Sequence, residues 1–273
     1  VAVAMHGIGA TWGAMGVGVA LTLLLSLILA VTIDLLSLRV RAIFFAMITL
    51  AVASAFAVLA SQLRDITGGE DGRSYSVPAM LRPSFRLMED QLLGVSITGR
   101  ILTYYLVFFA SLGLFLLALR IVNSPFGRVL QAIRENEFRA EALGYRVVIY
   151  RTVASLLSAT MATLAGVLMA LWLRYTGPDT TLSFAIMIDI LLMVVIGGMG
   201  TLYGAVLGAA IFILAQNYLQ VVMGKLTAMT DGIPLLPQLL HPDRWLLWLG
   251  ILFVLSVYFF PTGIVGRLRA QRR

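Results

Sequence analysis

Seven apolar runs, most of them about as long as a membrane-spanning helix, dominate the 273-residue sequence. A helix needs about 20 mainly apolar residues to cross the hydrocarbon core of a bilayer, and only the fifth run is clearly shorter. The runs lie at about 16–33, 43–61, 101–122, 150–173, 184–199, 203–223 and 244–260. We therefore expect an all-α fold, a polytopic helical bundle embedded in a membrane.

The composition excludes several classes of protein. Charged residues make up 12% of the chain, about half their share in soluble domains. The sequence has no cysteine, and its two histidines, His6 and His241, are far apart. It contains neither a phosphate-binding GxxxxGK(S/T) motif nor a recognisable catalytic triad. We expect no enzymatic activity, no cofactor and no metal, and we attribute the net charge of +7 to membrane-protein loops rather than to nucleic acid binding.

Basic residues are shared unevenly between the two sets of loops that seven spans would create. One set carries 12 Lys and Arg and 4 acidic residues, and it is formed by 34–42, 120–151, 198–203 and 261–273. The other set carries 8 basic and 8 acidic residues, and it is formed by 1–15, 62–100, 174–183 and 224–244. Because cytoplasmic loops are enriched in Lys and Arg, we expect the first set and the C-terminus in the cytoplasm. Aromatic side chains that favour the membrane interface fall at the predicted outer ends of spans: Tyr104, Tyr105, Trp172, Tyr175, Trp245 and Trp248.

The most highly charged stretch, NSPFGRVLQAIRENEFRAEALGYRV at 123–147, lies in the first set. Ser124 and Pro125 suit the cap and the first residue of a helix. An apolar stripe follows at i, i+3, i+4 and i+7: Phe126, Val129, Leu130 and Ile133. Asn136 can cap a second short helix, which Gly144 would end. The mixture of acids and arginines favours a protein partner over a membrane surface, with a solvated loop as the alternative.

The run SPFGRVLQAIRENEFRAEALG resembles the cytoplasmic signature of branched-chain amino acid ABC transporter permeases of the LivM type. Three other runs agree in the same order: SLRVRAIFFAMITLA at 37–51, TGGEDG at 67–72 and LLMVVIGGMGTLYGAVLGA at 191–209. The resemblance covers about residues 35–215. Members of the family usually begin with further spans and a GQLSLG-like segment, which we expect to be missing here. The chain opens VAVAMHGIGA, with neither an initiator Met nor a basic n-region, so we expect the N-terminus to be processed or incomplete.

The resemblance implies one transmembrane permease domain over 1–273, a subunit of a binding-protein-dependent importer in the bacterial inner membrane. The implied cargo is a branched-chain or related amino acid. The implied partners are a second, homologous permease, two cytoplasmic ATPases, a periplasmic binding protein and the lipid bilayer. Residues 123–149 would be the coupling loop that meets an ATPase. The residues assigned to coupling are Arg128, Ile133, Arg134, Glu135, Asn136, Glu137, Arg139, Glu141 and Gly144.

Two features near the fifth and sixth spans are candidates for a translocation path or for helix packing. Asp189 lies about one turn inside a span, where an acid is costly and rarely kept without a partner; a hydrated place near the outer interface is the alternative. Glycines spaced by four residues predict close helix packing, with a moving hinge as the alternative: Gly200, Gly204 and Gly208. Gly197 and Gly198 predict a break or a tight turn.

Other interpretations fit parts of the sequence. The TGGEDG run either contacts a binding protein or is simply a turn-rich loop. One alternative is a permease of the same architecture that carries urea or short amides. An ion-coupled secondary transporter would bind its ion at Asp189, but such transporters often show inverted repeats and none is evident here. A passive channel gives no reason for the charged stretch.

Overall fold

The computed structural model describes residues 1–37, 42–86, 98–229, 241, 244–259, 263 and 266. Most of the basic tail 261–273 and most of the predicted loop 224–244 therefore lie outside the described residues. The chain divides into two compact units, Val1–Ser183 and Phe184–Arg273. The assignment of one permease domain to 1–273 stays a prediction.

The first unit consists of long helices joined by short elements. Its α-helices are α1 (Ala2–Ile8), α2 (Trp12–Ser37), α3 (Ala42–Gln62), α4 (Arg64–Thr67), α5 (Gly99–Val122), α6 (Pro125–Glu135), α7 (Glu137–Ala142), α8 (Val147–Leu173) and α9 (Pro178–Thr181). Two-residue strands, β1 (Arg73–Ser74) and β2 (Tyr175–Thr176), pair antiparallel. The described helices of the second unit are α10 (Phe184–Gly197), α11 (Leu202–Met229) and α12 (Trp245–Phe259).

Each of the seven predicted spans coincides with a helix, so the prediction of an all-α, polytopic membrane protein is confirmed. In the part of the chain that the structure describes, five stretches are long and apolar enough to cross a bilayer: Trp12–Leu35, Gly99–Val122, Val147–Leu173, Pro178–Gly197 and Leu202–Thr227. Met47–Gln62 and Arg64–Asp71, which are bent by 81°, make a sixth stretch if the pair is counted as one broken span rather than as a re-entrant loop. The last helix, α12, is apolar but has only 15 residues. The number of spans is therefore close to the seven expected, and the orientation of the chain stays a prediction.

Two helices continue several residues beyond the C-terminal ends of the apolar runs that predicted them. The first predicted span ended at residue 33, but α2 continues to Ser37 and includes Asp34. The sixth predicted span ended at residue 223, but α11 continues to Met229. Backbone hydrogen bonding does not require an apolar side chain, so a helix extends beyond the point at which its hydropathy falls.

Small and hydroxyl-bearing side chains bring α2 close to its neighbours in the first unit. The Thr163 hydroxyl of α8 donates to Ser26 Oγ at 2.6 Å, and Ser26 Oγ donates to the Ala159 carbonyl at 3.4 Å. Close to α1, a Cβ at Gly18 would lie 2.9 Å from Val1 Cα. Hydrogen bonds between membrane helices typically contribute about 0.6–2 kcal/mol each, so the two bonds of Ser26 fix the register of α2 against α8.

The helix pair α5 and α8 separates two loop regions of the first unit. At one end, residues 64–86 and 174–181 fold together, and we call them the loop assembly. At the other end, residues 123–146 connect the two helices, and we call them the charged loop. Because α5 has 24 residues and a helix rises about 1.5 Å per residue, the two regions lie about 35 Å apart.

Candidate functional site

The charged loop begins with the helix start that its sequence predicts. Ser124 caps α6 by accepting a hydrogen bond from the Gly127 backbone N–H at 3.4 Å, and Pro125 is the first helical residue. Gly127 is required by packing, because a Cβ there would lie 2.1 Å from the Val122 carbonyl oxygen at the end of α5. The cap and the glycine turn the chain sharply from the long helix into α6.

The apolar stripe of α6 packs against the chain itself. Ile133 is buried in a cluster with Ala140 and Val147. The ring of Phe126 stacks on the ring of Tyr150, with centroids 5.6 Å apart. This stripe therefore holds the charged loop against the start of α8, and it is not free to enter a groove of a partner.

The second helix, α7, has a cap at each end. Asn136 Oδ1 accepts a hydrogen bond from the Arg139 backbone N–H at 3.0 Å. At the other end, Gly144 takes a φ of +89°, and the Tyr145 N–H donates to the Ala140 carbonyl, which is the bond that closes a Schellman motif. The prediction of two short capped helices that Gly144 ends is confirmed.

An ion pair also ties α7 to α8. Arg151 donates to Glu137 Oε2 at 2.8 Å, and both side chains remain about half exposed. Exposed pairs of this kind are worth about 0–1 kcal/mol, so the pair orients α7 more than it stabilises the loop.

The outer face of the charged loop combines charges with two apolar side chains that the sequence analysis missed. Phe138 is 85% exposed and Leu143 is 71% exposed. The charged loop also exposes five charged side chains, those of Arg128, Arg134, Glu135, Arg139 and Glu141. Helix geometry accounts for the exposure of Phe138. At 100° per residue, Phe138 lies about 200° around α7 from Ala140, which is buried.

The loop assembly gathers the TGGEDG run into a packed structure. Gly68, Gly69 and Gly72 all take positive φ values. Arg73 donates through its guanidinium to the carbonyl oxygens of Asp65, at 3.2 Å, and Ile66, at 3.4 Å. The run is therefore a tightly closed turn, and its possible contact with a binding protein stays a prediction.

Three glycines bring α10 and α11 into close contact in the second unit. A Cβ at Gly197 would lie 1.8 Å from the Gly204 carbonyl oxygen, and a Cβ at Gly208 would lie 1.9 Å from the Met193 carbonyl oxygen. The predicted stripe of Gly200, Gly204 and Gly208 is wrong at its first member. Gly200 precedes α11 in an exposed turn with a φ of +98°, and Gly197 of α10 takes its place in the contact.

The turn between these helices follows the prediction made from Gly197 and Gly198. The last residue of α10 is Gly197, and Gly198 has a φ of +123°. A Cβ at Gly263 would lie 2.0 Å from Gly198 Cα, so a further backbone segment approaches this turn. The close approaches favour a packing role for the glycines, and a hinge stays untested.

The long apolar helices α2 and α10 each contain one acidic residue. Asp189 is partly exposed on α10, and its side chain makes no hydrogen bond or ion pair among the described residues. Asp34, which the sequence analysis placed in a loop, is only 7% exposed on α2. Nowhere in the described ranges do three or more metal-ligating His, Cys, Asp or Glu side chains converge.

Long apolar helices joined by a charged, capped loop define a multi-pass membrane protein. The model of the family described as the permease component of the branched-chain amino acid transport system matches residues 1–257. The chain belongs to this family, which is a component of a transporter rather than an enzyme.

Three relatives support the family assignment. A probable branched-chain amino acid transport permease protein LivM of Methanocaldococcus jannaschii is 30% identical over 59% of this chain and 45% of the relative. High-affinity branched-chain amino acid transport system permease proteins LivM of Salmonella typhimurium and Escherichia coli are 27% and 26% identical, each over 86% of this chain and 53% of the relative. The chain thus spans about half the length of these relatives. No solved structure matches it.

Proposed function

We propose that the chain is the permease subunit of a binding-protein-dependent ABC importer in the bacterial inner membrane. Its cargo is a branched-chain or related amino acid, which the family and the names of the relatives support. Its partners are a second, homologous permease, two cytoplasmic ATPases and a periplasmic binding protein. ATP hydrolysis takes place in the ATPases, and the chain itself provides part of the path.

One observation carries the assignment of an ATPase partner, namely the exposure of Phe138 and Leu143 on the charged loop. The apolar stripe of α6 is already covered by α8, so these two side chains are what the loop offers to another protein. Two largely exposed apolar side chains on a loop that is otherwise rich in charge favour contact with another protein over permanent exposure to water. The surrounding charges of both signs suit a partner groove with an apolar floor and a mixed rim.

The proposed coupling residues therefore act in two ways. One group shapes the loop: Ile133, Asn136, Glu137 and Gly144. The other group is exposed at the rim of the contact: Arg128, Arg134, Glu135, Arg139 and Glu141. Phe138 and Leu143 form the centre of the surface that we propose to enter the ATPase.

Replacing Phe138 by Ser in the full-length protein tests this surface. Truncating an aromatic side chain at the centre of an interface costs about 2 kcal/mol or more, a loss of affinity on the order of thirtyfold. We expect less ATPase to copurify per permease, and lower ligand-stimulated ATP hydrolysis in vesicles. Arg134→Glu and Glu141→Arg should have smaller effects because they lie at the rim.

The matched control is Leu63→Ser, which truncates an exposed apolar residue at the opposite end of the first unit. It should leave ATPase association unchanged. Full association in Phe138→Ser would show that the charged loop is solvated and that the coupling assignment is wrong.

The same vesicles test the energy source. With ATP held constant, uptake should persist when the proton gradient is collapsed, and Asp189→Asn should not change this. Uptake that disappears with the gradient would favour an ion-coupled transporter. Competition by unlabelled L-leucine but not by urea would separate the amino acid cargo from the short-amide alternative.

A further inference from the structure

A cavity of about 560 Å³ opens between α1 and residues 74–82 of the loop assembly. This volume lies within the range of about 300–1,000 Å³ that is usual for small-molecule sites. Met5 and Tyr75 contribute an apolar floor, since both belong to the hydrophobic cluster beneath it. His6, Ser74, Ser76 and Arg82 supply polar groups, and Gly9 and Ala10 complete the lining. No acidic side chain is among the described residues that line the cavity.

Arg82 supplies the positive charge, and its position is held from several sides. Its Nε donates to the Val77 carbonyl at 3.2 Å, which leaves its two Nη groups without a partner among the described residues. A Cβ at Gly99 would lie 2.0 Å from the Arg82 carbonyl oxygen, so the start of α5 is pressed against this backbone. Thr103 Oγ1 donates to the adjacent Leu81 carbonyl at 3.2 Å. The contacts of Gly99 and Thr103 therefore fix the backbone of this segment, and the bond to Val77 orients the exposed guanidinium, so part of the cost of ordering it is met before a ligand binds.

Hydrogen bonds also hold Tyr75 of the cavity floor and the neighbouring Ser74 in place. Tyr75 Oη donates to the Ala170 carbonyl of α8 at 2.7 Å, and Ser74 lies in β1, which pairs with β2. Burial raises the pKa of the Tyr75 phenol, so the group stays protonated and keeps donating this hydrogen bond. The cavity is therefore formed before any ligand arrives.

We propose that this cavity binds a small, apolar α-amino acid, with Arg82 holding its carboxylate. A guanidinium can bind a carboxylate through two parallel N–H bonds. The hydroxyls of Ser74 and Ser76 can accept hydrogen bonds from an ammonium group. The apolar floor formed by Met5 and Tyr75 suits an apolar side chain. The proposal rests on the proposed function, because it gives the imported amino acid a binding place in the permease, and it goes further by naming the group that is recognised.

Three probes test the proposal on the full-length permease in lipid nanodiscs, with ligand-detected NMR as the binding measurement. L-Leucine carries both charged groups, 4-methylpentanoate keeps only the carboxylate and L-leucinamide lacks the carboxylate. We expect the first two to bind and L-leucinamide to bind at least tenfold more weakly. Arg82→Gln should weaken binding of both carboxylates at least tenfold, and Arg82→Lys should restore part of it.

Arg86→Gln is the matched control, because Arg86 is an exposed basic residue of the same segment that does not line the cavity. Its binding of L-leucine should equal that of the parent protein. Equal binding of L-leucine and L-leucinamide, or unchanged binding in Arg82→Gln, overturns the proposal. If Arg82→Gln fails to fold, Ser76→Phe, which fills the opening without changing the charge, must abolish L-leucine binding; retained binding overturns the proposal.

Copurification of an ATPase and ATP-driven uptake are measured separately on the parent protein. ATP-driven uptake without carboxylate-dependent binding would overturn the carboxylate site and leave the proposed function intact. Carboxylate-dependent binding in a protein with neither an ATPase nor ATP-driven uptake would support the site and overturn the proposed function.

Discussion

Gly72 lies where the loop assembly closes on itself. Its φ is +67°, and a Cβ there would be 2.6 Å from Tyr175 Oη and 2.7 Å from the Thr176 carbonyl oxygen. Tyr175 Oη in turn donates to the Asp71 carbonyl at 2.8 Å. One missing side chain thus allows the segment after α3 to meet the segment after α8, and the same wall borders the cavity of Arg82.

We expect Gly72→Ala to lower the melting temperature of the full-length protein. A positive φ and an added methyl group in a filled space each cost about 1–3 kcal/mol. Thermal unfolding in nanodiscs measures the effect. Gly166→Ala is the control, because a Cβ there meets nothing within 4 Å and Ala is favoured over Gly in a helix by about 1 kcal/mol. Equal melting temperatures in the two variants would contradict the close packing at residue 72.

At the scale of elements, α10 and α11 form a helical hairpin whose backbones touch. Gly197, Gly204 and Gly208 allow this, since any side chain at these positions would overlap a carbonyl oxygen or another backbone atom. In a membrane, close packing of this kind replaces the hydrophobic driving force that associates helices in water. The glycines therefore determine how closely the two helices approach.

We predict that Gly208→Ala destabilises this hairpin and that Gly204→Leu does so more strongly, because each added side chain must separate the helices. The yield of purified protein and its melting temperature should both fall. Gly250→Ala, in α12 of the same unit, adds a methyl group where nothing lies within 4 Å and should behave like the parent. A melting temperature of Gly208→Ala equal to that of the parent protein would contradict the close packing of α10 against α11.

On the scale of the whole molecule, both functional proposals depend on which end of the first unit faces the cytoplasm. The charge asymmetry of the loops predicts that the charged loop is inside and the loop assembly outside. These two regions lie at opposite ends of α5, so one labelling experiment can test both. The proposed ATPase contact and the proposed amino acid site require this orientation.

Single cysteines at Ser84 and Gln131 provide the test, because both positions are exposed and the sequence contains no other cysteine. A membrane-impermeant thiol reagent added to intact cells should label Ser84→Cys and should label Gln131→Cys only after the membrane is opened. The reverse pattern would invert the topology and contradict both functional proposals.

The helices and the caps of the charged loop could be predicted from local patterns in the sequence. An apolar run predicts a spanning helix wherever it lies, and Ser124, Asn136 and Gly144 act on backbone groups only a few residues away. Such features need no knowledge of the rest of the chain. The resemblance to the permease family likewise depended on contiguous runs.

The positions of individual side chains depended on contacts between distant residues, and only the tertiary structure decided them. Burial of the α6 stripe by α8 left Phe138 as the exposed group, and Gly197 replaced Gly200 in the helix contact. In the sequence Arg82 is one of several basic residues of a long loop, and only the fold brings it to the same cavity as residues of α1. Hydropathy and cap chemistry are local properties, whereas a cavity or a close approach exists only where separate segments of the chain meet.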